Sequence, residues 1–556
     1  MDLILRVREL GEHMASIRRG AQDSCAPDEA VDDEEAGSRK SFARSYVSLG
    51  GARTGMPAPI FWKGGLLALA VIMLAATCLI LAAITEHDSH DALQADPVHT
   101  SGVPHNSGGG SGVPQAVSEG SPWPQPPPPA FAAGPGLAAS TSVLGGNMPS
   151  FRACFWPNTT TSSAQQHAGL VVLRGGVVHA PQYLGRRDVL LSGGRVLKLW
   201  QETDPAAHYE INTLVQMQLV TVLDVAGSLI VPGLVDMHVH VTGGGGESGP
   251  ESKVPESRLS ELFRGGLTTV VGVLGTDSVS RTASELLTKV NALSRTPLTA
   301  YMWTGAYKVL PEVPTVTGTV EKDVAFVGPI IGVKTAVSDH RSSQEGAEKL
   351  RNLVAQARVG GMLGGKAGLV YAHMGDGFAG LAPLLDVVNN TPIPISQMLP
   401  THMGRTEQLV LEGTAWINRG GAVDVTANAD APTVVQQYNA SGADMSRVCV
   451  SSDAGGSIPA FNEQKELVGY DYGRPDRLLR FLRNMVLQHN RPISDVLALI
   501  TENPARVLQL PKGRIREGGD ADLLVLDPDT LTPAFVIARG QPVLTPECVA
   551  KDLFEN

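Results

Sequence analysis

From about residue 231 onward the chain repeats one texture, a short apolar run that ends in polar residues and is followed by a helical period. The runs read TTVVGVLG, PLTAYMWTG, IIGVKTAVSD, LVYAHMG, ISQMLPTHMG and RVCVSSDAGG, and helical stretches such as 347–358 and 475–488 lie between them. Strand-then-helix alternation predicts an α/β fold, a (β/α)8 TIM-like barrel over 231–512, in which reactive groups stand where strands end. Shorter β-branched runs at 170–178, 188–191 and 195–200, punctuated by Gly-Gly, predict a small antiparallel sheet ahead of it.

The first third of the chain has another character. Residues 1–63 are polar and charged, without a sustained apolar period, and are expected to be a disordered tail. Residues 64–85, GGLLALAVIMLAATCLILAAIT, carry no charge and have about the length of the roughly 20 residues that a helix needs to cross a bilayer. Arg39, Lys40, Arg44, Arg53 and Lys63 precede this run, whereas Glu86, Asp88 and Asp91 follow it. The positive-inside bias then predicts a type II single-pass orientation, with a cytosolic amino terminus and a lumenal or extracellular downstream domain. Residues 86–168 contain GGGSG and PWPQPPPPA, a composition that buries too little apolar area to fold, and are expected to be a linker. Glycosylation sequons begin at Asn158, Asn389 and Asn439 and are compatible with a lumenal location.

Two classes of chemistry are set aside by composition. A formal charge of -11 lacks the basic face that nucleic acid requires. The five cysteines are scattered, with no CxxC spacing, so metal chemistry here must use histidine and carboxylate.

Asp236-Met237-His238-Val239-His240 closes the first barrel strand. Residues two apart on a strand share a face, so His238 and His240 can aim at one cation. The Gly243–Gly246 run with Glu247 follows, a loop whose backbone can approach a ligand closely.

VPGLVDMHVH resembles the opening strand of the amidohydrolase superfamily, and HVHVTGGGGESGP resembles its isoaspartyl (β-aspartyl) dipeptidase branch. The resemblance spans about 169–540 and covers none of the first 165 or so residues. It implies four further metal ligands: Lys334 in IIGVKTAVSDHR, His373 in LVYAHMGDG, His402 in LPTHMGR and Asp453 in VSSDAGGS. It also implies two zinc ions, with His238, His240 and Asp453 on one, His373 and His402 on the other, and Lys334 between them. An ammonium cannot bind a cation, but desolvation lowers a lysine pKa, and the neutral amine can capture carbon dioxide as a carbamate. Paired cations can hold a hydroxide and polarise an amide carbonyl. The same donors accept cobalt, manganese or nickel.

By the same resemblance, Asp453 is also the proton shuttle and Tyr307 in WTGAYKV stabilises the oxyanion. Glu247 receives the substrate ammonium, Arg341 and Arg405 its carboxylates, and Thr276 and Ser457 contact substrate. The implied activity is hydrolysis of the isoaspartyl bond of small dipeptides. Hydantoin or dihydropyrimidine ring opening and N-acyl-amino-acid deacylation share the metal set, but GGGGE with Arg341, Arg405 and Tyr307 suits a zwitterionic dipeptide better than a neutral ring. A membrane-tethered, non-catalytic scaffold would be expected to have lost ligands. The segment GRIREGGDADL at 513–523 resembles the return from barrel to small domain, so 169–230 and 513–556 are expected to form one discontinuous β-sandwich. Relatives are soluble homo-oligomers of bacteria, a setting from which the apolar run at 64–85 departs.

Overall fold

The computed structural model describes residues 151–156, 169–461 and 467–556. The tail, the apolar run at 64–85, most of the linker and the Asn158 sequon lie outside the described residues. Among the described residues, no helix is long and apolar enough to cross a membrane.

The Gly-punctuated runs form strands β1 (Leu170–His179), β2 (Tyr183–Ser192), β3 (Arg195–Gln201), β4 (Val220–Asp224) and β5 (Leu229–Pro232). β1, β2 and β3 are antiparallel neighbours, whereas β4 and β5 lie parallel to β1. The small sheet is therefore mixed, in contrast to the antiparallel sheet that the sequence predicts. A helix at Pro205–Gln216, capped by the Asp204 carboxylate on the Ala206 amide, carries the chain across so that β4 can run parallel to β1.

The barrel strands are β6 (Leu234–Val239), β7 (Leu267–Gly272), β8 (Thr299–Gly305), β9 (Ile330–Val337), β10 (Leu369–Met374), β11 (Met398–Thr401), β12 (Val423–Thr426) and β13 (Val448–Ser451). β6 to β11 form one six-stranded parallel sheet in sequence order, the continuous wall of a β/α barrel. β12 and β13 pair in parallel, and the bridge Val239–Ala454 joins the end of β13 to β6. Every residue of β6, β7, β9, β10 and β11 is buried, as expected where helices cover a parallel sheet. The helical periods expected at 347–358 and 475–488 appear as Ala347–Gly364 and as Arg477–Arg483 continued by a π-turn, Asn484–Gln488. β12 is not among the runs the sequence singles out, because Asp424 interrupts its four residues.

A hairpin, β14 (Ser457–Phe461) with β15 (Leu467–Tyr472), follows the barrel. The chain then returns to the first sheet as β16 (Leu523–Leu526), β17 (Pro533–Ala538), β18 (Gln541–Thr545) and β19 (Cys548–Val549). β16 pairs antiparallel with β5, so the small unit is one nine-stranded sheet where a sandwich was expected.

Composition assigns residues 151–156 to the linker, and here the structure differs. Arg152 exchanges two backbone hydrogen bonds with Lys551, Trp156 is buried in the core of the small sheet, and Cys154 forms a disulfide with Cys548 across 394 residues of sequence. Pairing of two distant cysteines cannot be read from spacing, because only the folded sheet brings their Cα atoms to 5.8 Å.

Candidate metal centre and substrate mouth

The polar side chains at the strand ends converge. His238 lies in β6 and His240 just beyond it, Lys334 in β9, His373 in β10, His402 just past β11 and Asp453 just past β13. His402 (φ 65°) and Asp453 (φ 54°) adopt left-handed backbone, an uncommon conformation for residues with a Cβ that clusters at functional sites. Asp453 Oδ1 is 3.3 Å from Nε2 of both His238 and His240, and the Lys334 ammonium nitrogen is 3.0 Å from His238 Nε2. The His402 ring centre is 5.1 Å from that of His238 and 4.4 Å from that of His373. Among the described residues, His238, His240 and Asp453 form a group whose ligand atoms all lie within 4.8 Å of one another.

The electrostatics suit a divalent cation. Burial lowers the pKa of His238, His240, His373 and His402, that of His373 to about 3, so all four rings are neutral at pH 7 and keep a lone pair. Desolvation likewise lowers Lys334 to about 7, against attraction from Asp453. Burial alone would raise Asp453, but the hydrogen bond from His240 and the Lys334 charge hold its carboxyl below the usual range.

Three of the rings are held by a second partner. His238 Nδ1 meets the Tyr371 hydroxyl at 3.0 Å, His402 Nδ1 meets Thr426 Oγ1 at 2.6 Å, and His373 Nε2 meets Asp339 Oδ2 at 3.0 Å. His373 Nδ1 lies 2.8 Å from the Tyr307 hydroxyl. A fixed outer partner of this kind sets the orientation and basicity of a ligating imidazole.

The mouth above this centre carries both signs of charge. Glu247 accepts hydrogen bonds from Thr276 Oγ1 (3.0 Å) and Ser457 Oγ (3.1 Å), and its carboxylate is 3.6 Å from Arg341. Arg341 makes a two-point contact with Asp339 at 2.9 and 2.8 Å, and Arg405 donates to the Met374 carbonyl at 2.7 Å. The glycine loop that bears Glu247 is itself clamped, since buried Arg281 donates to the carbonyls of Thr242, Gly244 and Val254. Gly243 (φ 79°) allows this turn, because a Cβ there would collide with the Val254 carbonyl oxygen.

The structure thus gathers all the sequence-derived candidates at one face: the six metal-ligand candidates, Tyr307, and the mouth residues Glu247, Thr276, Arg341, Arg405 and Ser457. It adds Arg281, Asp339 and Tyr371, together with Asp236, which accepts from the His238 and Ser452 amides, and Asp424, which accepts from the Tyr371 hydroxyl; the sequence singles out none of them as a site residue. Asp339 and Arg281 stand beside motif residues and could have been suspected from that proximity. Tyr371 reads as an ordinary strand residue, and Asp424 as a charge outside any apolar run, until the barrel closes around them.

Comparison with known proteins points the same way. The profile of the Amidohydrolase family matches residues 430–546. The crystal structure of β-aspartyl dipeptidase from Fervidobacterium islandicum AW-1, in complex with β-Asp-Leu dipeptide, is 36% identical, covers 69% of this chain and 100% of that one, and superposes with a TM-score of 0.63. A dihydroorotase of Halalkalibacterium halodurans is 22% identical over 429 residues, 67% of this chain and 92% of the relative. A dihydroorotase of Listeria monocytogenes is 22% identical over 436 residues, 68% of this chain and 95% of the relative.

Proposed function

Because this chain belongs to the amidohydrolase superfamily, we propose that it is a binuclear metallohydrolase that cleaves the β-aspartyl bond of small dipeptides. The observation that carries this reading is the mouth, where Glu247 lies 3.6 Å from Arg341, and Arg341 and Arg405 both reach His373 of the histidine-rich centre. A β-aspartyl dipeptide has one ammonium and two carboxylates, which that charge pattern matches group for group. A neutral ring such as a hydantoin would bring no carboxylate to either guanidinium, and Arg341 and Arg405 would keep the Asp339 carboxylate that they already share.

His238, His240 and Asp453 would hold one zinc ion and His373 and His402 a second, with Lys334, carboxylated by carbon dioxide, reaching both. Bound there, the two cations would supply Lewis-acid polarisation and lower the pKa of the attacking water. The protein's own groups do the rest. Glu247 receives the substrate ammonium, with Thr276 and Ser457 holding the carboxylate in place, and Arg341 and Arg405 clamp the substrate carboxylates. Tyr307 donates its hydroxyl hydrogen to the developing oxyanion. The Asp453 carboxylate accepts a proton from the attacking water and delivers it to the leaving amine.

The test compares β-Asp-Leu, α-Asp-Leu and dihydroorotate as substrates of the zinc-loaded chain. The expected result is a kcat/KM for β-Asp-Leu at least about 100-fold above that for either other compound, because a misplaced carboxylate forfeits its hydrogen bonds with Arg341 or Arg405. Preferential turnover of α-Asp-Leu or dihydroorotate would reject the substrate assignment.

We further infer that the hydrolase domain matures in an oxidising compartment. The Cys154–Cys548 pairing supports this, since reducing compartments rarely sustain such bonds, and so does the charge asymmetry around 64–85. Asn389 and Asn439, the sequons that fall in the described region, are both exposed. Alkylation of the denatured, unreduced native protein followed by peptide mass spectrometry should modify Cys449 and spare Cys154 and Cys548 until reductant is added. Free thiols at both positions would place the domain in a reducing environment.

A further inference from the structure

We propose that Asp424, acting through Tyr371, is a positioning residue that fixes the tautomer of His238 and so prepares its Nε2 to bind metal. The inference rests on the reading of His238 as a metal ligand and extends it to two residues that the sequence did not single out. Asp424 is fully buried in β12, and its Oδ2 accepts three hydroxyl hydrogens, from Tyr371 at 2.6 Å, Thr401 at 2.6 Å and Ser451 at 2.7 Å. These donors come from β10, β11 and β13, so the strands around β12 all contribute to one oxygen.

A tyrosine has a single hydroxyl hydrogen. With that hydrogen committed to Asp424, the Tyr371 oxygen can only accept at its 3.0 Å contact with His238 Nδ1. His238 therefore carries its proton on Nδ1, and the bare nitrogen is Nε2, which faces Lys334 at 3.0 Å and Asp453 at 3.3 Å. Tyr371 cannot swing away from this duty. Trp303 stacks on its ring at 4.8 Å with an interplanar angle of 15°, and the indole nitrogen is tied to the Met237 carbonyl at 3.0 Å. Burial raises the Asp424 pKa to about 7, but a proton taken up on Oδ1, which has no hydrogen-bond partner, would leave Oδ2 accepting all three hydroxyls. The direction of the relay is the same in either state.

The relay makes an unusual demand on variants. Asp424→Leu removes the acceptor, so the buried Tyr371 hydroxyl turns its hydrogen to His238 Nδ1 and forces the proton onto Nε2, where it blocks metal. Tyr371→Phe only removes a hydrogen bond, leaving His238 free to choose either tautomer. Asp424→Asn can keep its carbonyl oxygen among the three hydroxyls. Zinc affinity of the full chain, measured by competition with a chromophoric chelator in the absence of substrate, should be within about twofold of wild type for Asp424→Asn, reduced about 10-fold for Tyr371→Phe, and reduced about 100-fold or more for Asp424→Leu. The double variant Tyr371→Phe/Asp424→Leu should bind zinc more tightly than Asp424→Leu alone, since the wrongly directed hydroxyl is gone. A purely structural role predicts the reverse order for that pair.

Wild-type affinity in Tyr371→Phe, or a double variant weaker than Asp424→Leu, would overturn the proposal. Should Asp424→Leu fail to fold, Tyr371→Phe against Asp424→Asn decides it, with equal affinities counting against the relay. Failure of wild type to turn over β-Asp-Leu, with the affinity order intact, would reject the substrate and keep the relay. A wild-type protein that binds no divalent metal would reject both the metal reading and the relay.

Discussion

Replacing Lys334 by alanine is expected to remove bound metal and hydrolytic activity together. The side chain is fully buried within β9, and its nitrogen lies 3.0 Å from His238 Nε2 in a ring of neutral imidazoles. Desolvation brings its pKa to about 7, so near neutrality much of it is the nucleophilic free amine that carboxylation needs. Loss of a group that reaches both cations should cost at least about a thousandfold in kcat/KM, or ~4 kcal/mol. Lys366 supplies the control. Its pKa is also lowered by burial, to about 8, yet it donates to the carbonyls of Val324 and Val327 far from the histidines in the fold. Lys366→Ala should therefore leave metal content unchanged, as measured by elemental analysis of dialysed protein. Full metal content and turnover in Lys334→Ala would remove this lysine from the centre.

The second large effect is expected at Tyr307. Its hydroxyl lies 2.8 Å from His373 Nδ1, and the Arg341 guanidinium sits 5.3 Å from its ring centre, which aims it into the space between metal ligands and mouth. Burial, opposed by the Arg341 charge, raises the phenol pKa, so at pH 7 the hydroxyl keeps its hydrogen and can donate it. A donor that acts mainly on the developing oxyanion stabilises the transition state more than the ground state. Tyr307→Phe should accordingly lower kcat by about 100-fold to 1,000-fold, ~3 to 4 kcal/mol, with KM and metal content little altered. Steady-state kinetics on β-Asp-Leu would read the split. A rise in KM at constant kcat would instead make Tyr307 a residue of uniform substrate binding.

The local pattern carried a large part of the architecture. Five of the six apolar runs named from the sequence contain whole barrel strands, beginning at Thr299, Ile330, Leu369, Met398 and Val448, and the sixth, at 268–275, starts one residue inside β7. Those strands are legible because a parallel sheet covered by helices needs continuous apolar runs, and little else produces them. β12 escaped notice for the converse reason, as a charged residue in the middle of four spoils the run. The linker assignment at 151–156 met a limit of composition, which counts prolines and glycines but cannot see Cys154 meeting Cys548. The parallel placement of β4 was likewise hidden, because strand direction depends on where the helix at Pro205–Gln216 returns the chain.

By itself, the sequence determined which chemical groups stand at the strand ends: the two histidines of DMHVH, a lysine in β9, later histidines after apolar runs and an aspartate before Gly455. Periodicity places these groups at ends because alternation along a strand is a local property of the backbone. Only the tertiary structure decided which nitrogen each ring turns inward and which residues hold it there. Asp424 and His238 are far apart in the chain, and the hydroxyl between them belongs to a third strand. Hydrogen-bond direction is set by the donors and acceptors that meet in space, and no local rule of spacing encodes that meeting.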